Sequence, residues 1–279
     1  MSRDHVCIID GDNMLRRALG VVETRGGSPS DAGALLLRML RGLLLRMESG
    51  RVPPTRAVTL FDPPRAGTWR RAAFPGYKPH EDRGAELADV KEGLGEILTG
   101  VGMTCGSCLT HEADDMIAAL ASRALATGMV VSVVSPDKDL LQLVRPGLLV
   151  FNPSSETWLN AAAVEAKMGV PPHLVADLLA LAGDRSDGIP GAPGIGPKIA
   201  AALLNGFGDL EQVLLRAEEI PRPAARRAVI ENVDMIRLSR RLTGLDADGC
   251  PLPFGPETLR LPDVRALGEV LDSGDMPSP

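Results

Sequence analysis

The chain has 279 residues, 44% hydrophobic and 24% charged, enough apolar side chain for a sizeable core in one large or two small domains and too much for a disordered chain. No apolar run reaches membrane-spanning length, and Arg3 alone ahead of the first apolar run is too little for a signal peptide, so a cytoplasmic protein is expected. The net charge of −6 excludes a uniformly basic nucleic-acid binder, yet without the nine acids singled out below it becomes +3, and total charge hides distribution.

In chain order, Val6-Cys7-Ile8-Ile9 reads as a buried strand ending in Asp10, followed by a helical stretch near Met14–Leu19. Gly26 to Ser30 is a loop, and Ser30 or Asp31 caps a helix from Ala32 to about Met47. Ala57–Phe61 is a second strand, ending at Asp62. Residues 79–100 are polar and interrupted by glycines, the pattern of a weak, mobile helix or arch. Glu112–Ala126 is an amphipathic helix, Met129–Val134 a third strand ending just before Asp137, and Leu148–Phe151 a fourth. Strands alternating with helices predict a doubly wound parallel sheet. From residue 160 the pattern is helical only (160–168, 172–182, 197–205, 209–217, 222–242), and the Pro/Gly-rich tail from Asp246 reads as loosely packed. The expected division is therefore 1–159 and 160–279.

The four cysteines are too few and too unevenly placed for a disulfide framework. Cys105 and Cys108 form a CxxC with His111 three residues on, half of a zinc site; no nearby motif supplies the remaining ligand, so they read as small residues at a strand end.

Asp10, Asp62 and Asp137 each sit just past the carboxyl end of a predicted strand, the edge where open parallel sheets bind ligands. One such acid is an ordinary helix cap; three together repel unless cations lie between them. Glu112, Asp114 and Asp115 open a helix, Asp139 follows Asp137, and Asp184 and Asp187 share a loop between helices. Nine acids at element ends point to two adjacent hard-cation sites, and two such ions about 4 Å apart can drive phosphodiester hydrolysis. No phosphate-cradling GxxxxGK[ST] loop and no Ser/His/Asp set is present. A second feature is the glycine-rich run from Gly188 to Lys198. Gly194 and Gly196 flank Ile195 and let backbone amides approach a phosphate, Pro197 suits the first helical turn, and Lys198 reaches the same anion. Such a helix-hairpin-helix grips duplex backbone without reading sequence.

At these residues the chain resembles the 5′-nuclease family, which includes the nuclease domain of bacterial DNA polymerase I, small phage exonucleases and flap endonucleases. The matching stretches are Ile8-Ile9-Asp10-Gly11, Phe61-Asp62, Gly76-Tyr77-Lys78, Glu112-Ala113-Asp114-Asp115, Asp137-Lys138-Asp139 and Gly183 to Asp187 running into the hairpin, in the family's order from residue 6 to about 215. The resemblance implies an α/β fold with a PIN-like parallel sheet flanked by helices, and a C-terminal helical region with a helix-hairpin-helix at 183–205. It implies a 5′→3′ exonuclease or flap endonuclease acting on DNA with 5′ ends or 5′ flaps through two or more Mg2+ or Mn2+ ions, with K+ at the hairpin as a further implication. Asp10, Asp62, Glu112, Asp114 and Asp115 are implied to hold mainly one metal, and Asp137, Asp139, Asp184 and Asp187 the other. Asp10, Asp62, Asp114 and Lys78 are the implied catalytic residues, with Lys78 at the base of an arch formed by 79–100. Expected DNA contacts are Arg16, Arg17, Arg70, Tyr77, Lys78, Arg83, Gly191, Gly194, Gly196 and Lys198. With no polymerase region the chain resembles the stand-alone members, and a monomer is expected.

The chain departs from the family pattern in four places. Arg83 stands five residues after Lys78 rather than two or three, Leu15-Arg16-Arg17-Ala18-Leu19 lacks an aromatic, Gly188 replaces a common Asn, and Pro136 precedes Asp137. Two other readings compete. Asp10-Gly11-Asp12 also fits the nucleophile and acid of a haloacid-dehalogenase-type phosphatase, but that leaves 112–115 and the hairpin unexplained. A catalytically weak binder of branched DNA would need the hairpin but not nine acids.

Overall fold

The computed structural model describes residues 4–48, 53–63, 67–79 and 87–273. The first strand, β1 (His5–Asp10), is buried along its whole length, as expected of a strand covered on both faces. Its alternation divides the interior. Val6 and Ile8 face one core and Cys7 and Ile9 the other, the period-two consequence of a pleated strand.

The chain continues through α1 (Gly11–Glu23), α2 (Pro29–Glu48), β2 (Arg56–Leu60), α3 (Trp69–Ala73), α4 (Ala88–Gly100), β3 (Thr104–Gly106), α5 (Ala113–Ala126), β4 (Val130–Val134), β5 (Leu148–Asn152) and β6 (Thr157–Leu159). The strands form one sheet in the order β3-β2-β1-β4-β5-β6. All pairings are parallel except β5–β6. β1 therefore lies between β2 and β4, and the chain reverses direction across the sheet there. That switch point opens a crevice at the carboxyl ends of the strands.

On one face α5 lies across the sheet, and its run of buried alanines (Ala113, Ala118, Ala119, Ala121, Ala124) permits close approach to Ile8, Val58 and Val133. On the other face α1, α2 and α4 pack through Met14, Leu36, Leu40, Leu44, Leu94 and Leu98. Each fully buried leucine contributes about 1.5–3 kcal/mol.

Helices follow: α6 (Ala161–Met168), α7 (Val175–Ala182), α8 (Pro197–Phe207), α9 (Leu210–Leu215), α10 (Pro223–Glu231), α11 (Val233–Thr243) and α12 (Val264–Ser273). α7 is the centre of this group, packed against α8 and α11. Its Asp177 accepts Arg240 Nε at 2.5 Å and the Leu210 N–H at 3.1 Å.

Several expectations need correction. Strands β3 and β6 are too short, at three residues each, to carry a readable alternation. The helix expected over 222–242 is broken at Asn232 into α10 and α11. The tail as far as residue 273 is docked rather than loose: Leu267 is fully buried among α2 side chains, and the Arg260 carbonyl accepts the Ala57 N–H at 3.1 Å. Residues 88–100 of the expected arch are a packed helix, with Leu94 and Leu98 buried. Residues 80–86, with Arg83, lie outside the described residues. No helix among the described residues is long and apolar enough to cross a membrane.

Candidate active site

Asp10 ends β1 and caps α1, accepting the Asn13 N–H at 3.0 Å. Ser135, just past β4, donates to its other oxygen at 2.5 Å, and Asn13 Nδ2 donates to the same oxygen at 2.7 Å and to Asp137 at 3.4 Å. Asp10 and Asp137 are thus held side by side across the switch point. Asp62 follows β2 and accepts the Ala113 N–H of α5 at 2.7 Å, which brings in Asp114 from that helix's first turn. Asp10, Asp62, Asp114, Asp137, Asp187 and Lys78 line one cleft of about 520 Å3, with Arg16, Lys138 and Lys167 at its sides.

The electrostatics are those of an acid cluster held out of water. Burial, and then Asp137 and Asp10, push the Asp114 carboxyl well above the usual range. Burial raises Asp10 to about 7, Asp139 to about 7 and Asp187 to about 6. Asp62 goes the other way: against the cost of burial, Lys78, the Ala113 amide and Lys91 hold it ionised. The Asp139 Oδ1 atom is buried with no hydrogen-bond partner, a costly arrangement for a carboxylate. The donors are all oxygens, which suits hard divalent cations.

Asp184 and Asp187 come from a tight loop closed by reciprocal 2.8 Å bonds between the backbones of Asp184 and Ile189. Lys138 reaches Asp184 at 2.5 Å and Asp139 at 3.6 Å. Lys138 and Ser186 hold Asp184 low despite burial. Gly188 has φ +69°, and a Cβ there would meet the Gly76 carbonyl oxygen at 2.4 Å, so a glycine is needed where the loop presses on the Lys78 segment. Lys78 itself has φ +44°, an uncommon conformation for a non-glycine residue of the kind that occurs at functional sites. Its ammonium lies 3.2 Å from Glu112 Oε1 and 5.3 Å from the Tyr77 ring centroid.

The structure separates residues that the sequence grouped. Asp115, expected as a metal ligand, is fully buried, and its carboxylate takes Arg70 through two nitrogens at 2.7 and 2.8 Å, Trp69 Nε1 at 3.1 Å and the Asp246 N–H at 2.8 Å. Arg70, expected on DNA, is 2% exposed. It also donates to Glu112 and to the carbonyls of Leu242 and Gly244, so it ties α5 to the end of α11. Tyr77, also expected on DNA, is buried and donates to Glu112 at 2.8 Å. Gly191 is buried against the Gly183 backbone, and its N–H goes to Ser239. All four are taken up by partners within the protein. Arg16 sits at the cleft, paired with Asp12, and Arg17 bonds Ser154.

The hairpin has the expected form. Gly194 has φ +78°, Gly196 precedes α8, Pro197 fills its first position, and buried Ile195 anchors the turn while Lys198 is exposed.

Sequence reasoning missed Asn13, Ser135 and Lys91, and weighed Asp12 only as the acid of a phosphatase. Asp12 accepts the Asp62 N–H at 3.0 Å and Lys91 at 2.6 Å, so it positions Asp62 and is not a free phosphatase acid. The signal for Asp12 and Asn13 was their place in the first turn after a strand-end aspartate. Lys91 left no such signal.

Comparison with known proteins agrees with this geometry. The N-terminal resolvase-like domain of the 5′-3′ exonuclease family matches residues 5–169 and its C-terminal SAM fold matches 170–266. The flap endonuclease Xni of Aeromonas hydrophila is 33% identical over 267 residues, covering 93% of this chain and 97% of that protein. DNA polymerase I of Rhizobium leguminosarum is 38% identical over 265 residues, 92% of this chain, which spans only 26% of the polymerase. A T5 5′-exonuclease structure with bound zinc ions has the same fold, with a TM-score of 0.70 at 17% identity over 96% of this chain and 97% of that one. A switch-point cleft lined by carboxylates, followed by a helical hairpin, in a chain matched from residue 5 to 266, places this protein in the 5′-3′ exonuclease family.

Proposed function

We propose that this chain is a structure-specific 5′→3′ exonuclease and flap endonuclease that hydrolyses DNA phosphodiester bonds with Mg2+ or Mn2+. The observation that carries the reading is the cleft in which Asp10, Asp62, Asp114 and Asp137 converge beside Lys78. Asp137 acts on both sets of acids: its charge raises Asp10 and Asp114 and also Asp139 and Asp187. Asp10, Asp62 and Asp114 would hold one ion, Asp139, Asp184 and Asp187 the second, with Asp137 shared. Bound cations at such a site supply a nucleophilic water at neutral pH and stabilise the leaving oxygen.

The chain's own residues do the rest. Lys78, held charged by Glu112, Tyr77, Asp62 and Asp187 against the cost of burial, faces the cleft and offsets charge that grows on the scissile phosphate. Glu112 touches Lys78, Tyr77 and Arg70 rather than facing the cleft freely, so it acts as a positioning residue for the lysine. Lys167 and Arg16 extend positive charge along the cleft. The amides of Gly194 and Gly196, with Lys198, grip the duplex backbone away from the cut, with K+ as a further ligand of the hairpin.

The test is a 5′-flap duplex labelled at either end, incubated with and without Mg2+. Release of the flap, or of short 5′ products, only with the metal is the expected result. Cutting in EDTA, or release from the 3′ end, would overturn the reading.

A further inference from the structure

Behind the cleft, the turn before α5 and the segment after α11 bring together side chains that the nuclease chemistry does not use. Cys108 and His111 pair across a tight antiparallel bridge, which turns both toward Cys250 from the distant tail. All three are buried, and one donor atom from each lies within 4.8 Å of the others. The Cys108 Sγ to His111 Nδ1 separation is 3.9 Å, close to the ~3.6 Å edge of a tetrahedron built with zinc–sulfur and zinc–nitrogen bonds of ordinary length.

The surroundings prepare the imidazole for this role. His111 Nε2 faces Asp246 Oδ2 at 3.2 Å, an arrangement that suits the tautomer with its proton on Nε2 and Nδ1 free of one, on the Cys108 side of the ring. A carboxylate behind a ligating histidine is the usual support for a zinc ligand. Asp246 is itself fixed, donating its N–H to Asp115 and accepting the Gly249 N–H at 2.9 Å. Within the cluster, the Thr110 hydroxyl lies 2.9 Å from His111 Nδ1 and 3.5 Å from Cys108 Sγ, the contacts that an ion bound to both ligands would replace.

We propose that Cys108, His111 and Cys250 bind one zinc ion, with water in the fourth position, as a structural staple between the start of α5 and the tail. Two thiolates and one imidazole select zinc over the hard cations suited to the carboxylate cleft. Binding releases the two thiol protons and leaves a neutral site. Joining residues 108 and 111 to residue 250 fixes the backbone next to Glu112, and hence the carboxylate that orients Lys78. Cys105 lies in β3, outside the three-ligand group.

The experiment uses the full chain, purified without chelator and exchanged into Mg2+ buffer. One equivalent of zinc should remain, and replacement by Co2+ should give thiolate-to-cobalt charge-transfer absorption in the near ultraviolet, which the oxygen-only cleft cannot produce. Cys108→Ser and Cys250→Ser should each lose the metal and the band, whereas Asp137→Ala should keep both. Stripping the zinc should lower Tm by roughly 5–10 °C. Because a serine variant can fail to fold, the Co2+ spectrum of the unaltered chain decides. Absence of the charge-transfer band overturns the proposal. So does a metal that is missing from Asp137→Ala but retained in Cys250→Ser. So too does a Cys108–Cys250 disulfide in chain whose thiols were blocked at lysis, which would make the pair a redox element.

Discussion

Lys78 gives its backbone N–H to the carbonyl oxygen of Asp187 at 2.8 Å. The lysine and a cleft carboxylate are therefore fixed to each other through main chain, although 109 positions separate them in the sequence numbering. Tyr77, Ile189 and Leu242 form a small apolar cluster at this contact, so the loop after α7 and the lysine segment are packed together. Lys78→Ala leaves that backbone bond in place and removes only the ammonium. Single-turnover cleavage should fall by about 100-fold or more, with a much smaller change in flap affinity. Pre-steady-state rates set against Kd check this; a loss of affinity at unchanged rate would make Lys78 a binding residue only.

Asp114 and Asp115 are neighbours with opposite expected phenotypes. Asp114→Asn removes a cleft carboxylate, and cleavage should drop by about 10²–10⁴-fold, the equivalent of several kcal/mol of metal assistance. The metal-free variant should be no less stable than the parent, because a repelled buried carboxylate has gone. Asp115→Asn instead leaves Arg70 buried and half-paired, a loss of about 3–5 kcal/mol, or about 10 °C in Tm for a chain of this size. Calorimetry and cleavage below the lower Tm separate the two. Equal loss of activity without loss of stability in Asp115→Asn would return it to the ligand set.

Asp10, Asp62 and Asp137 could be read from the sequence because an apolar run that ends in an acid reports both the strand and its open end. The hairpin was legible for a similar reason: glycine spacing and Pro197 impose a backbone shape whatever surrounds them. Burial of a charged side chain by a distant partner leaves no local mark, and Arg70 inside the Asp115–Glu112 pair is the case in point. One signal was available. Glu112 and Asp115 are three apart and share a helix face, whereas Asp114 is turned about 100° from Asp115, so one acid of the three had to look away from the others. The docking of α12 depends on Leu267 meeting α2, a contact spanning most of the chain, and a Pro/Gly-rich approach concealed it.

The acid cluster makes the metal-free protein sensitive to pH. Burial lifts Asp10 and Asp139 to about 7 and Asp187 to about 6 from an ordinary value of 3.8. The native chain then holds protons that the unfolded chain has released, so stability present below about pH 4 is lost as pH rises through 6 to 7. Asp62 and Asp184 are shifted downward, and their contribution changes only below that window. In EDTA, Tm should fall by roughly 5 °C or more between pH 5 and pH 7.5, since one kcal/mol corresponds to about 2–4 °C. Excess Mg2+ at pH 7.5 should restore it. A Tm that is flat or rises across this range in EDTA would mean that the carboxylates are not crowded without metal.

Lys198 stands exposed in the first turn of α8, next to Gly196 and above the buried Ile195 anchor. It lies outside the residues lining the cleft, so its charge should act on duplex backbone and not on the cut. Neutralising one phosphate-binding cation changes the slope of log K against log salt by about 0.9 for duplex DNA. Lys198→Ala should therefore weaken flap-duplex binding and flatten the salt dependence by that amount, while the single-turnover rate at saturating enzyme stays near the parent's. Titrations at several salt concentrations give the slope. An unchanged slope would take the hairpin out of the DNA interface. A lower saturated rate at the same slope would place Lys198 in the chemistry instead.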